Sequence, residues 1–359
     1  MMDQYNPTTI SPPGETLLDT LNALGMTQAD LANRTGRSPK MINEIIKGKA
    51  PITPETALQF EMVLGVPASF WNNREKNFRE YLARKSAQIQ LKSQISWLGR
   101  FPVEQMINFG WLPSQADKVQ QVSNLLSFFG VGHHLHWGRI YRNIEVAYRK
   151  AYEGAVSFNS LTAWLRAGEL AAQGIVCQPF SDKKFPEALG KIRSLTVKTH
   201  EEFVPEMKRL CADAGVAVVF TRELPKLNVF GATRWLTAEK ALIQLSLIYR
   251  TNDELWFTFF HEAAHISLHG KKDVFVEGAN LDNQKEDEAN KFAGDLLIPR
   301  KELLRVLQNE NPIGRDEILR LAFECGIAPG IVVGRLQHEK KVPYHKFNEL
   351  KTRFEWKPS

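Results

Sequence analysis

Trp256-Phe-Thr-Phe-Phe-His-Glu-Ala-Ala-His-Ile-Ser-Leu-His269 places two histidines four residues apart, with a glutamate directly after the first. On a helix His261 and His265 project side by side, so one cation can be held by both, and Glu262 stands next to it as a proton acceptor for water. Leu255, Trp256, Phe257, Phe259 and Phe260 predict that this helix is buried. A buried histidine pair needs a partner for its ring nitrogens, and a metal supplies one. The stretch therefore predicts a metal-holding domain, built around one buried helix, in the last third of the chain.

A catalytic zinc takes three protein ligands and keeps one position open. Downstream, residues 284–299 read as a helix with Ala289, Phe292, Ala293, Leu296 and Leu297 on one face and Pro299 as its stop. Its first turn offers Glu286, Asp287 and Glu288; helical geometry slightly favours Glu286, which lies nearer the apolar face. Residues 215–220 and 241–246 are short apolar runs bounded by Gly, Asp and Asn, as strands of a small sheet are. Residues 231–236 and the 241–246 strand are candidate edges for an extended peptide, or plain structural strands. Residues 270–284 read as a polar loop, so the last third is α+β.

These two segments resemble the ImmA/IrrE family of zinc metallopeptidases, in which a His-Glu-x-x-His helix precedes a Glu-x-Glu-Ala-x-x-Phe-Ala helix ending in Leu-Ile/Met-Pro. Glu286-x-Glu288-Ala-Asn-Lys-Phe-Ala293 and Leu297-Ile-Pro299 fit that pattern, and the resemblance runs from about Val216 to Gln337. It implies a zincin-like fold, a Zn²⁺ cofactor and hydrolysis of a peptide bond with Glu262 as catalytic base. By position, it implies His261, His265 and Glu288 as the metal ligands, with Glu286 as the reserve candidate.

At the other end, the chain parses as five helices: 15–24, 27–34, 38–47, 54–64 and 68 to about 85. Thr27, Ser38 and Thr53 stand as caps before them. Within residues 28–48, a small residue at the helix crossing (Ala32), a glycine in the turn (Gly36) and apolar residues facing back (Ile42, Ile45) fit a helix-turn-helix. Gln28, Arg37, Ser38, Lys40, Asn43 and Lys47 are the candidate DNA contacts, able to reach phosphates or base edges in a major groove. Thr27-Gln-Ala-Asp-Leu-Ala32 with Ile42-Asn-Glu-Ile-Ile-Lys-Gly-Lys49 resembles the XRE (Cro/repressor-like) family. Pro51-Ile-Thr-Pro-Glu-Thr-Ala57 with Phe70-Trp-Asn-Asn73 is similar to its HigA-type antitoxin branch. The resemblance implies a dimeric operator-binding repressor. The run from Gly326 to Gln337 is also typical of chains in which an ImmA/IrrE-like domain follows an XRE domain.

Between the two ends, residues 86–205 carry apolar and aromatic residues at helical spacing, such as Trp97, Phe101, Met106, Leu125 and Phe129, which is core composition. The expected organisation is multidomain and mainly α: a helix-turn-helix bundle over 1–85, a helical middle region over 86–205, and an α+β domain over 206–359. His133, His134 and His136 cluster without carboxylates or cysteines and read as a solvent-facing turn.

Composition agrees with a folded globular chain: of 359 residues, 43% are apolar and 24% charged, which excludes disordered and fibrous classes. The longest apolar runs are far short of the about 20 residues that span a membrane. No basic-then-apolar leader is visible, and three scattered cysteines form no Cys-x-x-Cys pair, so a cytoplasmic setting is expected. The net charge of +6 leans toward polyanions. Residues 34–49 concentrate it, with five basic residues against Glu44 alone. The sequence thus predicts a regulator that binds operator DNA as a homodimer and carries a zinc peptidase acting on a protein partner, a cognate toxin among the candidates, or on itself. The alternative is an antitoxin-like repressor whose metal domain only senses or docks.

Overall fold

The computed structural model describes residues 10–142, 157–248, 250–271, 274–276, 283–308 and 312–356. The chain divides into two compact units, residues 1–95 and 96–359.

The first unit consists of α1 (Pro13–Ala23), α2 (Gln28–Thr35), α3 (Pro39–Ile46), α4 (Pro54–Leu64) and α5 (Ala68–Ser93). The expected caps are made: the Thr27, Ser38 and Thr53 hydroxyls accept from the backbone N–H of Asp30, Met41 and Thr56. Gly36 ends α2 in the left-handed region at φ +66°, the conformation that glycine takes without a steric penalty. Leu17, Leu31, Ala32, Ile42, Ile45, Phe60 and Trp71 close the core. Gly14 lies so near the end of α3 that a Cβ there would overlap the Ile45 and Ile46 carbonyl oxygens.

α6 (Ile95–Leu98) starts at the last residue of the first unit, and the second unit continues with α7 (Val103–Asn108), α8 (Lys118–Phe129) and α9 (His134–Ile140). Trp97, Phe101, Phe129 and Trp137 pack edge-on or tilted against one another. There follow α10 (Phe158–Gln173), α11 (Lys184–Ser194), α12 (His200–Asp213), β1 (Val216–Phe220), β2 (Gly231–Thr237), β3 (Lys240–Leu245), α13 (Asn252–Leu268), β4 (Val274–Val276), α14 (Asn283–Leu297), α15 (Arg300–Leu307), α16 (Arg315–Cys325) and α17 (Pro329–His338).

The strands form one sheet in the order β1-β3-β2-β4, with β1 parallel to β3 and the other pairs antiparallel. Both faces are covered, as side-chain alternation dictates. Val216, Val218, Ala241 and Ile243 pack with α11, α12 and α13, while Ala217, Val219 and Leu242 face Ala172 of α10. Gly168 lets α10 approach closely, since a Cβ there would sit 2.1 Å from the Gln244 amide. That amide donates to the Trp164 carbonyl at 2.7 Å.

Three expectations change. Residues 85 and 205 are not boundaries: the first lies inside α5, which runs on to Ser93, and the second inside α12. The helical middle region is the outer layer of the α+β unit, because one sheet face needs it. Neither β2 nor β3 is an edge, since β4 pairs with β2 and β1 with β3. Of the polar loop expected over 270–284, residues 274–276 are strand β4, and residues 272–273 and 277–282 lie outside the described residues.

Candidate metal centre and helix-turn-helix surface

α13 is buried almost all round. Trp256, Phe259, Phe260, Ala263 and Ile266 enter the core, and His261, Glu262 and His265 are each no more than 1% exposed. The C-terminal segment holds its first turn, where Asn252 N–H donates to Thr352 O at 2.9 Å and Asp253 pairs with Lys351 at 2.6 Å.

The two histidines point Nε2 toward Nε2 at 3.1 Å. Glu286 on α14 faces both, with Oε2 3.3 Å from His261 Nε2 and Oε1 3.5 Å from His265 Nε2. Among the described residues, this is the group of His, Cys, Asp or Glu side chains in which three ligand atoms come within 4.8 Å of one another. Glu288, named by the family pattern, does not join them: its Oε2 lies 3.2 Å from His269 Nε2. Two residues along a helix is a turn of about 200°, so Glu286 and Glu288 cannot face the same point. Here the helix geometry, not the positional carry-over, matches what the fold brings together.

The outer nitrogens set the tautomers. Asn290 Oδ1 can only accept, so His261 Nδ1–H donates to it at 3.0 Å. Glu288 Oε2 accepts from His269 Nε2–H, which leaves His269 Nδ1 to accept from His265 Nδ1–H at 2.9 Å. Both inner Nε2 atoms then carry lone pairs aimed at one another. Burial, and after it the neighbouring His261, pushes His265 down to about 3, so protonation does not relieve that contact. Two imidazole lone pairs and a carboxylate converging in a buried site fit a divalent cation.

Glu262 stands against β2. A Cβ on Gly231 would come within 2.7 Å of Glu262 Cγ and Oε1 and of Thr258 Cγ2. The Glu262 carbonyl accepts from Thr233 Oγ1 at 3.1 Å, fixing α13 on the sheet. Asn290 is the residue that sequence reading missed; it stands four residues after Glu286, and the same spacing rule that marks the histidine pair points to it.

In the first unit, Lys40 and Lys47 of the candidate DNA contacts are exposed, and Gln28, Arg37 and Asn43 are half-buried. Arg37 Nε donates to Gln59 Oε1 at 2.9 Å, and the exposed Ser38 spends its hydroxyl as the α3 cap. His133 is likewise a cap: its Nδ1 accepts from Leu135 N–H, so the histidine cluster opens helix α9 and is not a turn. Among the described residues, no helix is long and apolar enough to cross a membrane.

Comparison with known proteins matches residues 17–71 to the helix-turn-helix family and residues 249–337 to peptidase family M78, described as the IrrE N-terminal-like domain. No curated protein matches the chain. Among solved structures, one described as an antidote protein of a plasmid maintenance system from Nostoc punctiforme is 27% identical over 24% of this chain and 94% of its own, with a TM-score of 0.23. An addiction module antidote protein of a HigA family from Coxiella burnetii is 26% identical over 23% of this chain and 92% of its own, with a TM-score of 0.22. The chain thus carries an XRE-type helix-turn-helix segment at its N-terminal end and an IrrE-like peptidase-family domain at its C-terminal end.

Proposed function

We propose that the chain is a DNA-binding transcriptional regulator of the antitoxin or repressor type, whose C-terminal unit is a zinc-dependent endopeptidase. It cleaves a protein partner, a cognate toxin among the candidates, or the chain itself, and so acts as a regulatory switch. The carrying observation is the convergence of His261 Nε2, His265 Nε2 and the Glu286 carboxylate, with outer hydrogen bonds that leave both imidazoles ready to ligate.

His261, His265 and Glu286 would hold the zinc, with Glu286 taking the place expected for Glu288. When bound, the metal polarises the scissile carbonyl and makes water a nucleophile near neutral pH. Glu262, next in sequence to His261 and buried, takes the proton from the attacking water and delivers it to the leaving amine nitrogen. Asn290, and Glu288 through His269, keep the imidazoles in their ligating tautomer. In the first unit, Lys40 and Lys47 with Gln28, Arg37, Ser38 and Asn43 form the operator-facing surface, and a homodimer would read two half-sites.

Metal content by mass spectrometry tests this reading. One zinc per chain is expected, absent from a His261→Ala/His265→Ala double variant. Glu262→Gln should keep zinc and operator binding while abolishing cleavage of the partner. A folded chain without zinc would overturn the metal centre, and unchanged regulation by Glu262→Gln would reduce the domain to a sensing or docking module.

A further inference from the structure

The far face of the sheet carries a second cavity. α13 and its histidines pack on the face of Val216, Val218, Ala241 and Ile243, whereas Val219 belongs with α10 to the other. Where β1 ends, Ala167 and Ala171 of α10 line a cavity of 330 Å³ together with the rings of Phe109, Trp111, Phe220 and Trp356 and the guanidinium of Arg222. That size lies in the range of small-molecule sites. None of its lining residues belongs to the metal centre.

The walls are braced by contacts of their own. Trp111 stacks on Phe128 with ring planes 7° apart and meets Phe109 edge-on at 5.4 Å. The Arg222 guanidinium lies 5.7 Å from the centre of the Phe109 ring and 5.9 Å from that of Trp356, so one cation is held against two rings. Trp356 comes from the C-terminal segment, and its indole N–H donates to Glu223 Oε2 at 3.1 Å. Glu223 Oε1 accepts from the Leu247 N–H. Both carboxylate oxygens are thus engaged, and Glu223 seats the wall without lining the cavity.

Charge and ring faces select the occupant. Among the described residues that line the cavity, Arg222 alone is charged, so a cation would meet repulsion with no carboxylate to offset it. A guanidinium recognises a planar acid through its N–H edge, and ring faces favour a flat ring over a saturated one. A single guanidinium balances a single negative charge, as on a carboxylate, better than a phosphate dianion.

We infer that this cavity is a binding site for a small aromatic carboxylate, a ligand separate from any peptide at the metal centre. The inference stands on the far sheet face alone and does not depend on the peptidase reading.

Isothermal titration calorimetry on the full-length protein tests it with 2-naphthoate, 2-naphthamide, decalin-2-carboxylate and the cation 2-naphthylmethylammonium. One naphthoate per chain is expected, bound about tenfold more tightly than the amide, which lacks the charge, and about fivefold more tightly than the decalin acid, which lacks the ring faces. Arg222→Gln should make acid and amide bind alike. Ala171→Trp, at an exposed position of α10, should fill the cavity and weaken every probe, a second check should the Arg222 variant fold poorly. The affinity for naphthoate should be the same with and without EDTA, which separates this site from a carboxylate seated on a metal ion. No binding, equal affinity for acid and amide, preference for the cation or the saturated acid, a preference that survives Arg222→Gln, or loss of binding in EDTA overturns the inference.

Discussion

His269 Nδ1 lies 2.9 Å from His265 Nδ1, and through that contact the solvent-facing carboxylate of Glu288 is linked to the ring that faces the metal centre. Glu286, two residues earlier on the same helix, faces the centre directly. In the proposed centre the two glutamates therefore hold different offices, one as ligand and one as the outer anchor of a tautomer.

Glu286→Gln is expected to abolish stoichiometric zinc binding, whereas Glu288→Gln should weaken it only about 10- to 100-fold, as loss of an outer partner does. Competition with a zinc chelator of known affinity measures both. Equal losses would contradict the division.

Gly231→Ala should cost about 1–3 kcal/mol, since its methyl would overlap Glu262 and Thr258 in a close-packed layer. Because the collision falls on the proposed base and not on the ligands, zinc content should persist while turnover drops. Thermal unfolding and metal analysis of one preparation separate the two effects.

Glu169 bridges Arg166 at 2.8 Å and Arg234 at 2.6 Å, tying α10 to β2. Burial alone would raise its pKa, yet the hydrogen bonds from the two arginines outweigh that and hold it below the usual carboxylate value of 4.5. A depressed folded pKa gives stability that is complete above the unfolded value and lost as pH falls through the folded one. Urea unfolding of the wild type should therefore weaken below pH 4.5 more steeply than that of Glu169→Gln. The variant itself should be about 2 kcal/mol less stable at neutral pH.

Lys47 ends α3 exposed, on the side away from Ile42 and Ile45. If it meets a phosphate, Lys47→Ala should weaken DNA binding about equally for all sequences and lower the salt slope by about one. Fluorescence anisotropy across a salt series reads both; a change confined to one operator sequence would instead make Lys47 a base reader.

The first unit was almost wholly legible, because its information is local. Caps at Thr27, Ser38 and Thr53, a turn glycine at Gly36 and periodic apolar residues all act within a few positions. The His261–His265 pair was legible for the same reason. What escaped lies at longer range or on a shared short stretch. Glu286 and Glu288 are separated by a rotation, which the helical periodicity registers weakly and the family pattern, matched by position, does not. The boundaries at 85 and 205 failed because helix α5 continues through polar residues that carry no stop signal before Gln94, and because the middle helices are needed by a sheet that lies later in the chain. Strand β4 has three residues, too few for alternation to register.

Arg193, on α11, donates from Nε to Leu296 O at 2.6 Å and from Nη2 to Leu297 O at 2.9 Å, so it satisfies the last carbonyls of the helix that carries Glu286. The contact spans 103 residues of chain. A separation of that size makes this contact slow to form relative to the pairing of α13 with α14, whose histidines and glutamate lie only about 20 to 25 residues apart. In the proposed centre the three side chains can therefore gather before the far end of the glutamate helix is pinned. On that reading the docking of α11 governs how rigidly an ion is retained, not when it is first met.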